Sequence, residues 1–119
     1  MSGQPLVERH CTEVLPTTPP LSVEKAHVFF KELSGWELAQ ENTLIRKQFR
    51  CKDFKEAVAL LERIANLAEA NNHHPDLHLT NYRNLTVDLS THSIKGLSDN
   101  DFILAAKLDR ILSNASPIR

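Results

Sequence analysis

The sequence predicts an α+β domain, with a four-stranded antiparallel sheet and about three helices packed on one face of it. Two observations carry this prediction. Apolar residues recur at helical spacing in three stretches, and two other stretches alternate apolar and polar residues around a polar turn. Their order along the chain is helix, hairpin, long helix, hairpin, helix. A chain of 119 residues, 41% of them hydrophobic, fits one such domain.

Charge, hydropathy and cysteine content exclude several classes of protein. The chain has 14 Lys and Arg residues against 15 Asp and Glu residues and no basic arm, which argues against direct nucleic-acid binding. No apolar run approaches the roughly 20 residues that a membrane span needs. Cys11 and Cys51 show neither paired metal spacing nor a disulfide framework. We therefore expect a reducing, cytoplasmic compartment.

Residues 1–21 are predicted to form a flexible leader. Regular structure is blocked there by four prolines, Pro5, Pro16, Pro19 and Pro20. The segment lacks the continuous hydrophobic stretch of a secretory signal. Glu8 and Glu13 argue against an organelle-targeting peptide, but targeting by this leader stays open as an alternative.

The ordered domain is predicted to span residues 22–114, and a tail of residues 115–119 follows it. Ser22 is a suitable cap for the first helix, and Ser34-Gly35 ends it. The helical spacing is carried by Ala26, Phe29, Phe30 and Leu33.

Residues 36–50 are predicted to form a β-hairpin. Residues 36–38 and 44–49 are the strands, and residues 40–42 are the polar turn. The alternation in the second strand is imperfect. Trp36 stands at the entrance of the hairpin, and we favour core packing for it, with a supporting role at a substrate site as the alternative.

The longest helix is predicted to begin at Asp53, because Glu56 three residues later completes a capping-box-like spacing. Asn71-Asn72 ends it, since Asn tolerates the left-handed conformation common at helix ends. One apolar stripe is predicted along it, made of Phe54, Ala57, Val58, Leu61, Ile64, Ala65 and Ala68.

A second hairpin and a last helix follow. Residues 77–80 and 85–90 alternate in the manner of strands around a turn at residues 81–84. A period of two places His92 at the end of the second strand, on the side away from its apolar residues. Ser98 and Asp101 cap the final helix, whose apolar side is predicted to carry Leu104, Leu108 and Ile111.

Three histidines stand at the ends of these elements. His73 and His74 follow the long helix directly, and His92 follows the last strand. An unperturbed imidazole pKa of about 6.5 suits proton transfer near neutral pH. We therefore predict that the three rings meet around one small polar substrate. Glu69, one helical turn before His73, either supports a histidine or is a solvated residue at the helix end.

The run Asn72-His73-His74-Pro75-Asp76, followed at compatible spacing by Tyr82, His92 and Asp101, resembles the pterin-4a-carbinolamine dehydratases. The segment of residues 91–97, followed by Asp101-Phe102, is similar to a second motif of that family. The resemblance extends from about Leu21 to Leu112. It implies a four-stranded antiparallel sheet with helices on one face, in a homodimer or homotetramer.

The activity that the resemblance implies is the dehydration of 4a-hydroxytetrahydropterin to quinonoid dihydropterin and water, which recycles the pterin cofactor of aromatic amino-acid hydroxylases. It implies that no metal or organic cofactor takes part. His73 and His92 would exchange protons with the substrate, and His74 would orient it. The substrate-binding set that it implies is His73, His74, Pro75, Thr91, His92, Ser93 and Ile94.

One departure and two alternatives accompany this interpretation. Some family members have Asp and Lys where this chain has Asn72 and Ala70, so stabilisation of an imidazolium is expected to be weaker here and the rate lower. One alternative is a zinc site, for which the candidate ligands are His73, His74, His78 and His92. The other is a non-enzymatic dimerisation or assembly cofactor that acts through its helical faces.

Overall fold

The computed structural model describes residues 4–112. Within this range the chain forms three helices: α1 (Val23–Phe30), α2 (Phe54–Asn71) and α3 (Asp99–Ile111). It forms four strands: β1 (Glu37–Ala39), β2 (Leu44–Arg50), β3 (Asp76–Thr80) and β4 (Asn84–Leu89). Short 3-10 helices lie at Leu6–Glu8 and His92–Ile94. The strands make one antiparallel sheet in the order β1-β2-β4-β3. The predicted α+β class is confirmed.

One face of the sheet forms half of the hydrophobic core. Cross-strand pairs place Ile45 beside Leu89 and Phe49 beside Leu85, and all four side chains are buried. Lys47 lies on the same face, which explains the imperfect alternation of β2. Its ammonium donates to the carbonyl oxygen of Ser34 and to Asp109.

Trp36 is buried at the edge of this core. Its indole N–H donates to Oδ1 of Asp109 over 2.8 Å, so the buried polar atom of the ring has a partner. The interpretation of Trp36 as a core residue is confirmed. It lines neither of the cavities described below.

The helices begin where their capping residues predict, but α1 ends at Phe30, before the predicted stop at Ser34-Gly35. Oγ of Ser22 accepts from the backbone N–H of Lys25, and Oδ1 of Asp53 accepts from that of Glu56. Asn72 ends α2 with a φ of 52°, in the left-handed region. No helix of the described chain is long and apolar enough to cross a membrane.

The apolar stripe of α2 is rotated from the predicted one. The helix buries Ala57, Leu60, Ile64 and Ala68. Phe54 remains 55% exposed and Val58 36% exposed, although both were predicted to belong to the buried stripe. The apolar residues of α2 span a wider arc of the helix than the elements packed against it cover. Periodicity alone therefore could not show which edge of that arc is buried.

The N-terminal segment is the main correction to the predicted fold. Leu6 is fully buried, its backbone N–H donates to Glu32, and Lys107 of α3 donates to the carbonyl oxygen of Val7. The prediction of a flexible leader is therefore wrong for this part of residues 1–21. Prolines prevent regular structure, but they do not prevent an irregular segment from burying an apolar side chain. The predicted tail at residues 115–119 lies outside the described residues.

Candidate active site

The end of α2 fixes the direction of the two adjacent histidines. The backbone N–H groups of Asn72 and His73 both donate to the carbonyl oxygen of Ala68, which closes the helix in a left-handed turn. Pro75 then restricts His74 to an extended backbone. Successive side chains of an extended segment point to opposite sides, so His73 and His74 leave the chain in different directions.

His73 is bound to a buried carboxylate. Its Nε2 lies 2.6 Å from Oδ1 of Asp101, whose side chain is inaccessible to solvent, while the side chain of His73 is 12% exposed. The second oxygen of Asp101 accepts from Oγ1 of Thr91 over 2.8 Å and from the backbone N–H of Ser98 over 2.9 Å. The carboxylate therefore joins the end of α2, the segment after β4 and the start of α3.

This pair sets the protonation of the imidazole. An ionised carboxylate only accepts hydrogen bonds, so Nε2 of His73 carries the hydrogen and Nδ1 is the proton-accepting nitrogen of the neutral ring. The contact with Asp101 therefore fixes the ring of His73 and leaves Nδ1 as its accepting nitrogen.

A cavity of about 430 Å³ lies beside His73. Three parts of the chain line it: the end of α2, the segment around Thr91 and Ser93, and a stretch of the N-terminal segment, residues 11–14. Asn100 of α3 completes the lining. The volume falls within the range of about 300–1,000 Å³ that holds small-molecule ligands.

His92 lies at a different cavity, on the polar face of the sheet. This second cavity has a volume of about 530 Å³. His92 is 75% exposed there, and its Nε2 lies 3.5 Å from Oδ2 of Asp76. His78 and Asp88 line the same cavity, so the prediction that His92 lies on the side away from the apolar residues is confirmed.

The floor of the second cavity contains an ion pair. Arg46 donates from two nitrogens to the carboxylate of Asp88, over 2.7 and 3.1 Å, and Nε2 of His78 lies 3.7 Å from the same group. The hydrogen bond to Asp88 raises the pKa of the Arg46 guanidinium above its ordinary value. Asp88 is largely buried beneath this cavity, and the bidentate bond compensates its charge.

The predicted meeting of three histidines around one cavity is not what the structure shows. His73 lines the first cavity together with Thr91 and Ser93, whereas His92 lines the second. Nε2 of His74 lies 2.6 Å from Oε2 of Glu69 at the surface. Pro75 and Ile94 line neither cavity, and Ile94 is buried. Pro75 favours an extended backbone at His74, which separates the neighbouring rings of His73 and His74, and His92 reaches the second cavity from the segment after β4.

Sequence reasoning missed two carboxylates. Asp101 was placed in the family motif and given a role only as a helix cap, yet its other oxygen binds His73. Asp76 was noted only as part of the motif, and it contacts His92. Glu69 was expected either to support a histidine or to be a solvated residue at the helix end; its Oε2 lies 2.6 Å from Nε2 of His74, and its side chain is 75% exposed. Among residues 4–112, no group of three or more His, Cys, Asp and Glu side chains is placed to hold a metal ion.

Both cysteines have a free thiol. Burial raises the pKa of the Cys11 thiol from its ordinary value of 9.0 to about 11, against a smaller opposing effect of Lys107. Burial also raises the pKa of Cys51. Neither thiol is activated as a nucleophile, because a reactive cysteine needs a lowered pKa.

Comparison with known proteins identifies the family. The family model described as pterin 4 alpha carbinolamine dehydratase matches residues 19–111. A protein of Rubrobacter xylanophilus, whose name assigns it provisionally to the pterin-4-alpha-carbinolamine dehydratases, is 38% identical over 106 residues, or 89% of this chain and 97% of that protein. The mitochondrial pterin-4-alpha-carbinolamine dehydratase 2 of Arabidopsis thaliana is 37% identical over 93 residues, and the match spans 76% of this chain and 50% of that protein.

Solved structures show the same architecture. A crystal structure described as a transcriptional coactivator/pterin dehydratase from Brucella melitensis has a TM-score of 0.70 and 29% identity, and the match covers 77% of this chain and 97% of that one. A pterin dehydratase-like protein described as a RuBisCO assembly factor in the alpha-carboxysome has a TM-score of 0.54 and 17% identity over 67% of this chain and 92% of that one. This second likeness shows the fold alone.

Proposed function

The chain belongs to the pterin 4 alpha carbinolamine dehydratase family, and we propose that it dehydrates 4a-hydroxytetrahydropterin to quinonoid dihydropterin. The reaction removes the proton on ring N5, breaks the bond between C4a and the hydroxyl oxygen, and forms a double bond between C4a and N5. The hydroxyl leaves as water once it has taken up a proton. No electron acceptor is needed, so acid–base groups suffice.

His73 is the proposed base. The observation that carries this assignment is its 2.6 Å contact with the buried Asp101 at the wall of a cavity of about 430 Å³. The carboxylate keeps the hydrogen on Nε2, so Nδ1 is the nitrogen that accepts the N5 proton. Thr91 and Ser93 line the same cavity and offer hydroxyl groups to the polar edge of the pterin.

His92 is the proposed proton donor to the leaving hydroxyl. It follows Thr91, which is bonded to Asp101, and it precedes Ser93, which lines the cavity of His73. Rotation of its exposed ring toward that cavity would bring it to the substrate. His74, held by Glu69, is the proposed orienting residue. Replacement of His92 by Ala is expected to lower the rate about 10²-fold, the contribution of one general acid. His78→Ala, at the same cavity as His92, is the matched control.

The direct test is turnover by the wild-type protein. Freshly generated 4a-hydroxytetrahydropterin is mixed with protein dialysed against EDTA, and formation of the quinonoid product is followed by absorbance. We expect acceleration over the spontaneous reaction without added metal or cofactor, since we propose that none takes part. A rate equal to the spontaneous one would reject the function, and a rate restored by metal would reject the metal-free mechanism.

The recycling role, the compartment and the oligomer are further parts of the proposal. We propose that a pterin-dependent aromatic amino-acid hydroxylase supplies the substrate. The reaction would then recycle the pterin cofactor of that hydroxylase. The free thiols of Cys11 and Cys51 suit the cytoplasm, although relatives from Arabidopsis thaliana are named as mitochondrial and chloroplastic forms. Exposed apolar side chains on α1 and α2, of Val28, Phe54 and Val58, support a homodimer or homotetramer.

The same exposed side chains favour a second candidate function, an assembly or dimerisation cofactor that acts through its helical faces. Phe54 on α2 is 55% exposed and Val28 on α1 is 58% exposed, so both helices offer apolar side chains to a partner. The variant Phe54→Glu separates the two functions. If the protein is a dehydratase, the folded variant is expected to keep the acid–base step of dehydration. If it is an assembly or dimerisation cofactor, the variant is expected to lose that function although His73 is intact.

A further inference from the structure

The N-terminal stretch that lines the cavity of His73 lies before the part of the chain that the family model matches. That model begins at residue 19, whereas the lining stretch is Cys11–Val14. The proposed catalytic histidine lies within the matched residues, and one wall of its cavity lies before them. Residues of this wall can set the substrate preference without a change in the reacting groups.

Asn100 holds this wall in place. Its Oδ1 accepts from the backbone N–H of Thr12 over 3.0 Å, and its Nδ2 donates to the carbonyl oxygen of Thr12 over 2.6 Å. Asn100 is 4% exposed, so water competes little for these two bonds. Asn100 directly precedes Asp101, the carboxylate that binds His73. One turn of α3 therefore fixes both the wall and the base.

The segment is also anchored on either side of the wall. Upstream, Leu6 is fully buried and Lys107 is bonded to the carbonyl oxygen of Val7. Downstream, the backbone N–H of Leu21 donates to the carbonyl oxygen of Leu97. A segment tied at three places presents its side chains in a defined position, which a specificity determinant requires.

The chemistry of the lining points to the preferred ligand. Thr12 contributes a hydroxyl group and Glu13 a carboxylate, and both residues are exposed. The other walls add the amides of Asn71 and Asn72. Among the lining residues, all within the described part of the chain, none is Lys or Arg, and the ammonium of Lys107 lies outside the lining, bonded to the carbonyl oxygen of Val7. The cavity therefore suits a neutral substituent that donates hydrogen bonds, and it repels an anionic one.

We propose that Glu13 and Thr12 select the substituent at C6 of the pterin, favouring a neutral hydroxyalkyl group over a carboxylate, and that Asn100 is the positioning residue that holds them. This inference rests on the proposed function, because it places the reacting edge of the ring at His73. The rest of the molecule then lies against the remaining walls, of which the stretch Cys11–Val14 is one.

The experiment compares kcat/KM for 4a-hydroxytetrahydropterins with a dihydroxypropyl or a carboxylate substituent at C6. Glu13→Gln is expected to shift the preference toward the carboxylate substrate about tenfold at low salt, by removal of one like charge in a partly screened site. In the wild type the preference itself is expected to weaken as ionic strength rises. Glu8→Gln changes an exposed glutamate in the same segment that does not line the cavity, and it is expected to leave the preference unchanged.

Asn100→Ala tests the positioning role. Loss of both bonds to Thr12 is expected to raise KM for the dihydroxypropyl substrate about tenfold, with a smaller change in kcat, and to reduce the preference between substrates. Asn100→Asp keeps the acceptor for the N–H of Thr12 and is expected to recover part of the KM. Thermal unfolding checks that each variant is folded.

The outcomes separate the two proposals. If the wild type turns over both substrates and Glu13→Gln leaves their ratio and its salt dependence unchanged, the selection proposal is wrong and the dehydratase function stands. If the wild type turns over neither substrate, the function is rejected and the selection proposal with it. If only Asn100→Ala alters the ratio, Glu13 is not the determinant.

Discussion

Replacement of Asp101 by Asn tests how the base is held. The side chain has almost the same shape, but one of its oxygens becomes an N–H donor. The backbone N–H of Ser98 and the hydroxyl of Thr91 occupy one oxygen of Asp101, and Nε2 of His73 occupies the other. Because the N–H of Ser98 cannot accept, the new amide keeps its oxygen there and turns its NH₂ group toward His73.

The tautomer of His73 is then expected to reverse. An amide donor makes Nε2 the acceptor and moves the hydrogen to Nδ1, so the nitrogen at the reacting edge can no longer take a proton from N5. We expect kcat to fall about 10²-fold to 10⁴-fold, the range for a misplaced general base. The cost in stability is about 1–3 kcal/mol, since one charged hydrogen bond is lost from a buried group.

The assay measures kcat and KM with 4a-hydroxytetrahydropterin, and ¹⁵N NMR of the His73 ring reports the tautomer directly. Ser98→Ala is the matched control. It removes a hydroxyl bonded to Thr91 at the start of the same helix and leaves the contact between His73 and Asp101 in place. An Asp101→Asn variant with wild-type kcat, or one that keeps the hydrogen on Nε2, would refute the reasoning.

Three further predictions concern packing and titration. Leu6→Ala should lower the free energy of unfolding by about 2–5 kcal/mol, as expected for a fully buried leucine. Leu15→Ala, at a 54% exposed position, should change it little. Equal effects of the two substitutions in chemical denaturation would contradict the packing of the N-terminal segment. The rate of alkylation of Cys11 by iodoacetamide should keep rising with pH up to about 11, because only the thiolate reacts and burial raises the pKa of this thiol from 9.0 to about 11. A rate that levels off near pH 9 would contradict the raised pKa. Arg46→Met should cost about 1–3 kcal/mol in thermal unfolding, since Asp88, 8% exposed, loses a bidentate partner that is itself 30% exposed. A loss well below about 1 kcal/mol, typical of surface pairs, would show that the pair is solvated.

Local sequence signals were enough for most of the fold. Capping residues such as Ser22, Asp53 and Asn72 act on neighbouring backbone groups, so the positions of these helix ends follow from a few adjacent residues of the sequence. The hairpins follow from alternation and polar turns for the same reason. Leu6 was missed because its burial depends on α3, which lies about a hundred residues away in the chain.

The site was only partly predictable. The importance of His73 followed from the motif, but its partner Asp101 lies 28 residues later and already had a local explanation as a helix cap. The separation of His73 from His92 depends on which way each ring leaves the backbone. That direction follows from the turn at Asn72 and the register of β3 on β4, which sequence spacing does not specify.

The central claim is that His73, held by Asp101, carries the acid–base chemistry of a pterin dehydratase. Its most direct test is the rate of dehydration of 4a-hydroxytetrahydropterin by His73→Ala beside the wild type. We predict a loss of about 10²-fold or more in the variant, with folding intact by circular dichroism. A folded His73→Ala protein that dehydrates the substrate at the wild-type rate would contradict the account.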